Sequence, residues 1–202
     1  MPLAFVTITP PIRDGIHAFA WAGLVGQVIV ALFLLVGLLA VLGVRGPLDT
    51  VRRWLWGYEL WAAFAVAAIA TGGSLFFSQI AGFPPCELCW FQRICMYPLS
   101  ILLLLMAWNG DNRAARYLFP LPIVGACVSI YHLLIENKVI KEPAACLVSA
   151  TGGCGTKWIN EFGYITIPTL ALTGFLLLIG FLVLATLGTT EETATLPAHA
   201  ER

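Results

Sequence analysis

The chain has 202 residues, of which 59% are hydrophobic and only 11% charged, and its formal net charge is zero. A soluble globular chain carries about 25% charged residues, so this composition, with a mean hydropathy of +0.88, describes an integral membrane protein. The charge balance excludes the basic surface that a nucleic-acid partner requires, and no Gly-rich phosphate loop or metalloprotease motif is present.

A helix of about 20 apolar residues crosses a bilayer core. Five stretches qualify, roughly 18–44, 58–80, 90–108, 117–137 and 164–187. The first is too long for the apolar region of a typical signal peptide. The segment before it offers only Arg13 offset by Asp14, and no small-residue cleavage site is clear, so it reads as a retained helix. The short gaps predict antiparallel neighbours in one compact all-α bundle. From Gly188 the chain turns polar, through Thr189, Thr190, Glu191 and Glu192, and residues 188–202 read as a disordered tail.

Five spans put the termini on opposite faces. The connection 45–57 carries Arg45, Arg52 and Arg53, and 109–116 carries Arg113 and Arg116, so the positive-inside rule turns both toward the cytoplasm. The bias is modest, because Lys138, Lys141 and Lys157 lie in the last opposing gap. The cysteines point the same way. Cys95 and Cys127 fall within apolar spans and read as buried small hydrophobes. The other four, Cys86 and Cys89 in one gap and Cys146 and Cys154 in another, lie on the outer side, where disulfides persist.

The run Phe83-Pro84-Pro85-Cys86-Glu87-Leu88-Cys89-Trp90-Phe91-Gln92-Arg93 enters the third span. Two prolines fit a break in helix before the pair. Cys89 then falls near the first turn, where the helix dipole favours a thiolate. Arg93 lies four residues on, on the same face and about 6 Å deeper. A buried cation there either reaches up to the lipid headgroups or stabilises the Cys89 thiolate and negative charge developing on an electron acceptor. A zinc site built from the four outer cysteines is the metal alternative. The seven-residue gap of the second pair is unlike common zinc spacing, so no metal site is expected.

The longest loop, 137–163, contains Cys146-Leu-Val-Ser-Ala-Thr-Gly-Gly-Cys154. So small a Gly-rich loop closes easily into a disulfide, which reads as exposed to a partner's thiolate, with a simple structural staple as the other possibility. Gly152, Gly153 and Gly155 read as flexible joints. Trp158, Ile159, Phe162 and Tyr164 suggest that the loop's end lies along the membrane surface. His132, beside Tyr131 near the outer end of the fourth span, is either a packed core histidine or a proton donor to a reduced acceptor. His17 and His199 have no such context.

The string Cys86-Glu-Leu-Cys89-Trp-Phe-Gln-Arg93-Ile-Cys-Met-Tyr97-Pro98-Leu, with Tyr131-His132 and the Cys146…Cys154 loop, resembles the DsbB family of disulfide-formation membrane proteins, in its shorter BdbC-like branch. The resemblance implies a four-helix core over 58–187, with 1–57 as an additional N-terminal segment. It implies a bacterial plasma-membrane thiol oxidase in which an extracytoplasmic thioredoxin-like oxidase of DsbA or BdbD type attacks Cys146–Cys154. Cys86–Cys89 would reoxidise that pair and pass electrons to a quinone, ubiquinone or menaquinone. By position, Cys89 and Arg93 correspond to the family's quinone contacts and His132 to its histidine beside the quinone. The chain departs from the family in its fifth helix and in the short spacing of its second pair. A vitamin K epoxide reductase-like enzyme, or a non-catalytic scaffold or transporter with structural disulfides, are the alternative readings.

Overall fold

The computed structural model describes residues 9–147 and 153–195. Among these residues seven α-helices follow in order: α1 (Pro10–Val41), α2 (Gly46–Leu55), α3 (Glu59–Leu75), α4 (Glu87–Asn109), α5 (Pro120–Glu136), α6 (Ala144–Leu147) and α7 (Ile167–Thr195). A π-turn (Phe76–Ile80) extends α3, and a 3-10 segment (Asn112–Leu118) leads into α5. Five of these units are long and apolar enough to cross a membrane: Pro10–Val41, Glu59–Ile80, Glu87–Asn109, Asn112–Glu136 and Ile167–Leu187. The expected all-α membrane bundle is therefore observed.

The boundaries shift for identifiable reasons. α1 starts eight residues before the apolar run, because Pro10 and Pro11 sit at the first helical positions, where a missing N–H costs nothing. The connection 45–57, expected as a loop, holds α2, whose Pro47 and Asp49 in the first turn and Arg52 and Arg53 in the last match the helix dipole. The last helix continues past Gly188 to Thr195, where a disordered tail was expected. Residues 196–202 of that tail, and His199 with them, lie outside the described residues.

Lipid tails are as apolar as leucine, so packing rather than burial from water holds such a bundle, and small residues let helices approach. The main cluster joins Ala63 and Ala67 of α3, Leu99 and Leu103 of α4, Ala126 of α5, and Leu178 and Leu182 of α7. Phe175 of α7, fully buried, packs against Gly125 of α5, where an added Cβ would come within 2.3 Å of the ring. α1 packs on the outside of this core. Gly23 and Gly26 seat it against Leu170 and Thr173 of α7, and Phe33 lies over Gly180. Its outer end is tied to the last loop by His17 to Glu161 at 3.1 Å, and lower down Gln27 accepts from Tyr164 at 2.8 Å. Of the two mid-span cysteines, Cys95 is buried as expected. Cys127 is exposed on the outside of α5, because the helix's buried face is taken by Gly125, Ala126 and Ser129.

Candidate functional site

The site is built where the start of α4 meets the end of α5. Pro84 and Pro85 hold an extended segment, and α4 begins immediately beyond it with Cys86 as its N-cap. The Cys86 sulfur accepts the Cys89 backbone N–H at 3.3 Å, and the two sulfurs lie 2.7 Å apart, both unbonded thiols.

On α5, Gly125, Ser129, His132 and Glu136 follow at spacings of four, three and four, so they share one buried face. His132 Nε2 lies 3.0 Å from the Cys154 carbonyl and 3.7 Å from the Cys86 sulfur, while Nδ1 lies 3.5 Å from the Gln92 side-chain nitrogen. A carbonyl can only accept. Nε2 therefore carries the ring proton, and the Gln92 amide donates to Nδ1. One imidazole bridges the two cysteine pairs.

These surroundings push the Cys86 thiol down from 9.0 to about 5. The largest cause is the Cys89 thiol donating to it, followed by the His132 ring and the Cys89 backbone N–H, against burial, which opposes. The thiolate expected at Cys89 thus forms at Cys86. The reason is local: the N-cap residue, rather than the third residue of the helix, faces the unpaired N–H groups and the imidazole.

Cys146 and Cys154 are joined in a disulfide with Cα atoms 5.5 Å apart. Each is 1% exposed, so the pair expected on the surface is instead buried, in a cluster with Cys86, Leu88 and Ile135. Glu142 explains the inward fold: its carboxylate accepts from the backbone N–H groups of Cys154 and Gly155. Gly153, just before them, has φ at +90°, which favours glycine, and an added Cβ would lie 2.6 Å from the Glu142 carboxylate. Residues 148–152, including Gly152, lie outside the described residues.

Two cavities meet at Cys89. The smaller, about 20 Å³, is lined by Cys86, Cys89, His132, Glu136 and Cys154. The larger, about 450 Å³, is lined by α1, α3, α4 and α7 and is open on one side, with Cys89, Gln92 and Arg93 at one end. Arg93 is engaged within the protein. Its Nε donates to Ser74 Oγ at 2.9 Å and an Nη to the Ser74 carbonyl at 3.0 Å, and its guanidinium stacks on Trp90 at 5.2 Å. Ser78 Oγ shares the same carbonyl at 3.0 Å, at the entry to the π-turn. His132, expected beside the acceptor, lines the small cavity and not the large one.

Cys86, Cys89 and His132 also form a donor set whose ligand atoms lie within 4.8 Å of one another. A structural zinc site takes four ligands, and the Cys146–Cys154 bond removes the other two cysteines from a four-cysteine site. Sequence reasoning missed Glu136, which is 4% exposed and accepts from Thr166 Oγ at 2.8 Å, and also Gln92, Ser74 and Glu142. Only the four-residue step from His132 to Glu136 carried a signal.

The family model described as "Disulfide bond formation protein DsbB" matches residues 52–185, which is most of the chain. The chain belongs to the DsbB family. Among DsbB-type relatives, it is 47% identical to "Disulfide bond formation protein C" of Bacillus subtilis over 125 residues, covering 62% of this chain and 90% of that protein. A "Probable disulfide formation protein C 1" of Bacillus anthracis is 45% identical over 119 residues, 59% of this chain and 85% of the relative. A "Probable disulfide formation protein" of Coxiella burnetii is 37% identical over 135 residues, 67% and 92% respectively. No solved structure matches. Both cysteine pairs, Arg93 and His132 fall within the DsbB match, whereas α1 lies outside it. The chain is thus a multi-pass membrane protein of a disulfide-forming thiol oxidoreductase family, which decides against the vitamin K epoxide reductase-like alternative.

Proposed function

We propose that the protein reoxidises an extracytoplasmic thioredoxin-like dithiol oxidase, of DsbA or BdbD type, and delivers the electrons to membrane quinone. In this reading residues 58–187 form the catalytic unit, and both cysteine pairs face the extracytoplasmic side of the plasma membrane. The observation that carries it is the position of Cys89, whose side chain lines both the small cleft shared with Cys86, His132 and Cys154 and the large apolar cavity.

The chemistry proceeds by thiol–disulfide exchange. The Cys146–Cys154 bond is buried, so the partner must first displace what covers it; its thiolate then attacks the bond, and the mixed disulfide resolves to leave the partner oxidised and this pair reduced. One of the new thiolates attacks the Cys86–Cys89 disulfide, restoring Cys146–Cys154 and leaving Cys86 and Cys89 as thiols. Cys86 is the good leaving group here, because its thiolate is stabilised by the helix N-terminus and by His132. The sulfurs at 2.7 Å share one proton, so the negative charge can pass from Cys86 to Cys89, which faces the large cavity. A quinone bound there would accept two electrons as Cys86 and Cys89 close to a disulfide, taking one proton from the thiol pair and the second from solvent.

The residues fit such a molecule. A polar end of Cys89, Gln92 and Arg93 opens into an otherwise apolar space of about 450 Å³, within the range of pockets that hold small organic ligands. Arg93 is fixed by Ser74 with its charge inside the cavity, where it stabilises anionic character on the acceptor. The test is purified protein with quinone and a reduced thioredoxin-like dithiol. Quinone reduction is expected to disappear in Cys89→Ser; unchanged turnover in that variant sinks the mechanism.

A further inference from the structure

The large cavity is elongated, and its walls show the direction. On α4 the lining runs from Cys89 to Tyr97, on α7 from Ile167 to Leu177, and on α1 from Phe19 to Ile29. At 1.5 Å per residue, ten residues of α1 cover about 15 Å of depth. The polar groups Cys89, Gln92 and Arg93 stand at one end, and the lining reaches Ile29, Val66 and Leu177 at the other. A ring and a long apolar substituent would occupy such a space in that order.

α1 supplies one whole side of it, although it lies outside the segment that defines the family. The helix is also held in a fixed register. Gly23 and Gly26 bring it close to α7, Phe19 packs on Phe76 and Phe77 with ring centroids 5.5 Å apart in each case, and Glu161 and Tyr164 of the last loop bond His17 and Gln27. A helix present only as a lipid-facing addition would need no such tethers along one side of a cavity.

We propose that α1 is the tail-binding wall of the acceptor cavity, with Ala22, Val25 and Ile29 contacting the first units of an isoprenoid chain and so selecting long-tailed acceptors. The proposal rests on the quinone reading above and adds a specificity-determining role for residues on α1. Ala22, exposed and lining the cavity, is the place to probe it, because a larger side chain there projects into the tail path. Val28, equally exposed but on a side of α1 that does not line the cavity, is the control.

The experiment compares a long-tailed isoprenoid quinone with a tail-less ring analogue in the full-length protein, driven by a reduced dithiol. Ala22→Phe is expected to raise KM for the long-tailed quinone about tenfold, the scale of misfit in an apolar pocket. It should leave the tail-less KM within about twofold, which also shows that the variant folds and that Cys89 and Arg93 remain in place. Val28→Phe should change neither. Equal losses with both acceptors, or no change with the long-tailed one, overturn the role of α1 while leaving quinone reduction intact. If the wild-type protein reduces neither acceptor, the quinone reading itself fails and the proposal with it.

Discussion

The two cavities that share Cys89 differ in nearly every respect. The cleft of about 20 Å³ has room for about one water and is walled by groups that give and take protons: Cys86, His132 and Glu136. The cavity of about 450 Å³ is apolar apart from one end, and its polar groups are engaged within the protein, as with Arg93 on Ser74. On the proposed function, the difference teaches how one protein would separate protein-thiol exchange from reduction of an apolar acceptor. Protons and disulfides would be handled on one side of Cys89, and the acceptor on the other.

Removing that side chain has the largest expected effect. Cys89→Ser should abolish acceptor reduction while leaving the Cys146–Cys154 disulfide open to reduction by a dithiol, a split that mass mapping of the disulfides reads directly. Breaking only the proton side comes next. His132→Ala should slow transfer between the pairs by about a hundredfold, the usual scale for a lost acid–base group, and should raise the Cys86 pKa. That value is measured by the pH dependence of alkylation of the reduced protein. In the wild type the Cys86 thiolate should persist down to about pH 5 rather than 9.0. The sign follows from the depressed folded value. Stabilisation of the reduced folded state is complete above the ordinary thiol value and is lost as pH falls through about 5. An alkylation midpoint near 9, unchanged in His132→Ala, would remove His132 from this role.

Disturbing only the acceptor side should be milder. Arg93→Ala should raise the quinone KM about tenfold without moving the Cys86 titration or unfolding the protein. A shift in that titration would show that the two cavities are electrically coupled through Cys89. The smallest effect is expected for Glu136→Gln, which keeps the Thr166 bond and changes only charge. The Cys86 alkylation rate should stay within about threefold of wild type, since Glu136 shares the small cleft with Cys86 but makes no hydrogen bond to it among those seen.

Much of this was legible in the residues. Apolar runs long enough for a bilayer marked all five spans, since lipid solvation makes that requirement strict. The Pro84-Pro85 break and the Cys86/Cys89 spacing placed the pair at the top of α4, because both effects are local in the chain. What was not legible depended on partners far apart in sequence. Arg93 binds Ser74 from 19 residues away, and His132 reaches Cys86 across 46. Periodicity placed His132 on the outer end of its helix but could not tell which cavity its ring would enter. The buried Cys146–Cys154 bond turned on Glu142, a charged loop residue whose pattern resembles any solvated position. α2 was hidden because a short amphipathic helix with several charges looks like a connection.

The close contact of Phe175 on Gly125 has its own reach. Gly125 lies seven residues, about 10 Å along the helix, from His132 on the same buried face of α5. Any side chain there must push α5 away from α7, and a displacement at mid-membrane is carried as a tilt to the far end of a stiff rod. An imidazole held at 3.0 Å from one partner and 3.7 Å from another has little slack to absorb it. The tolerance of the redox centre is thus machined in the hydrocarbon, at a position with no chemistry of its own, and a single methyl group at Gly125 should detune electron transfer with every cysteine intact.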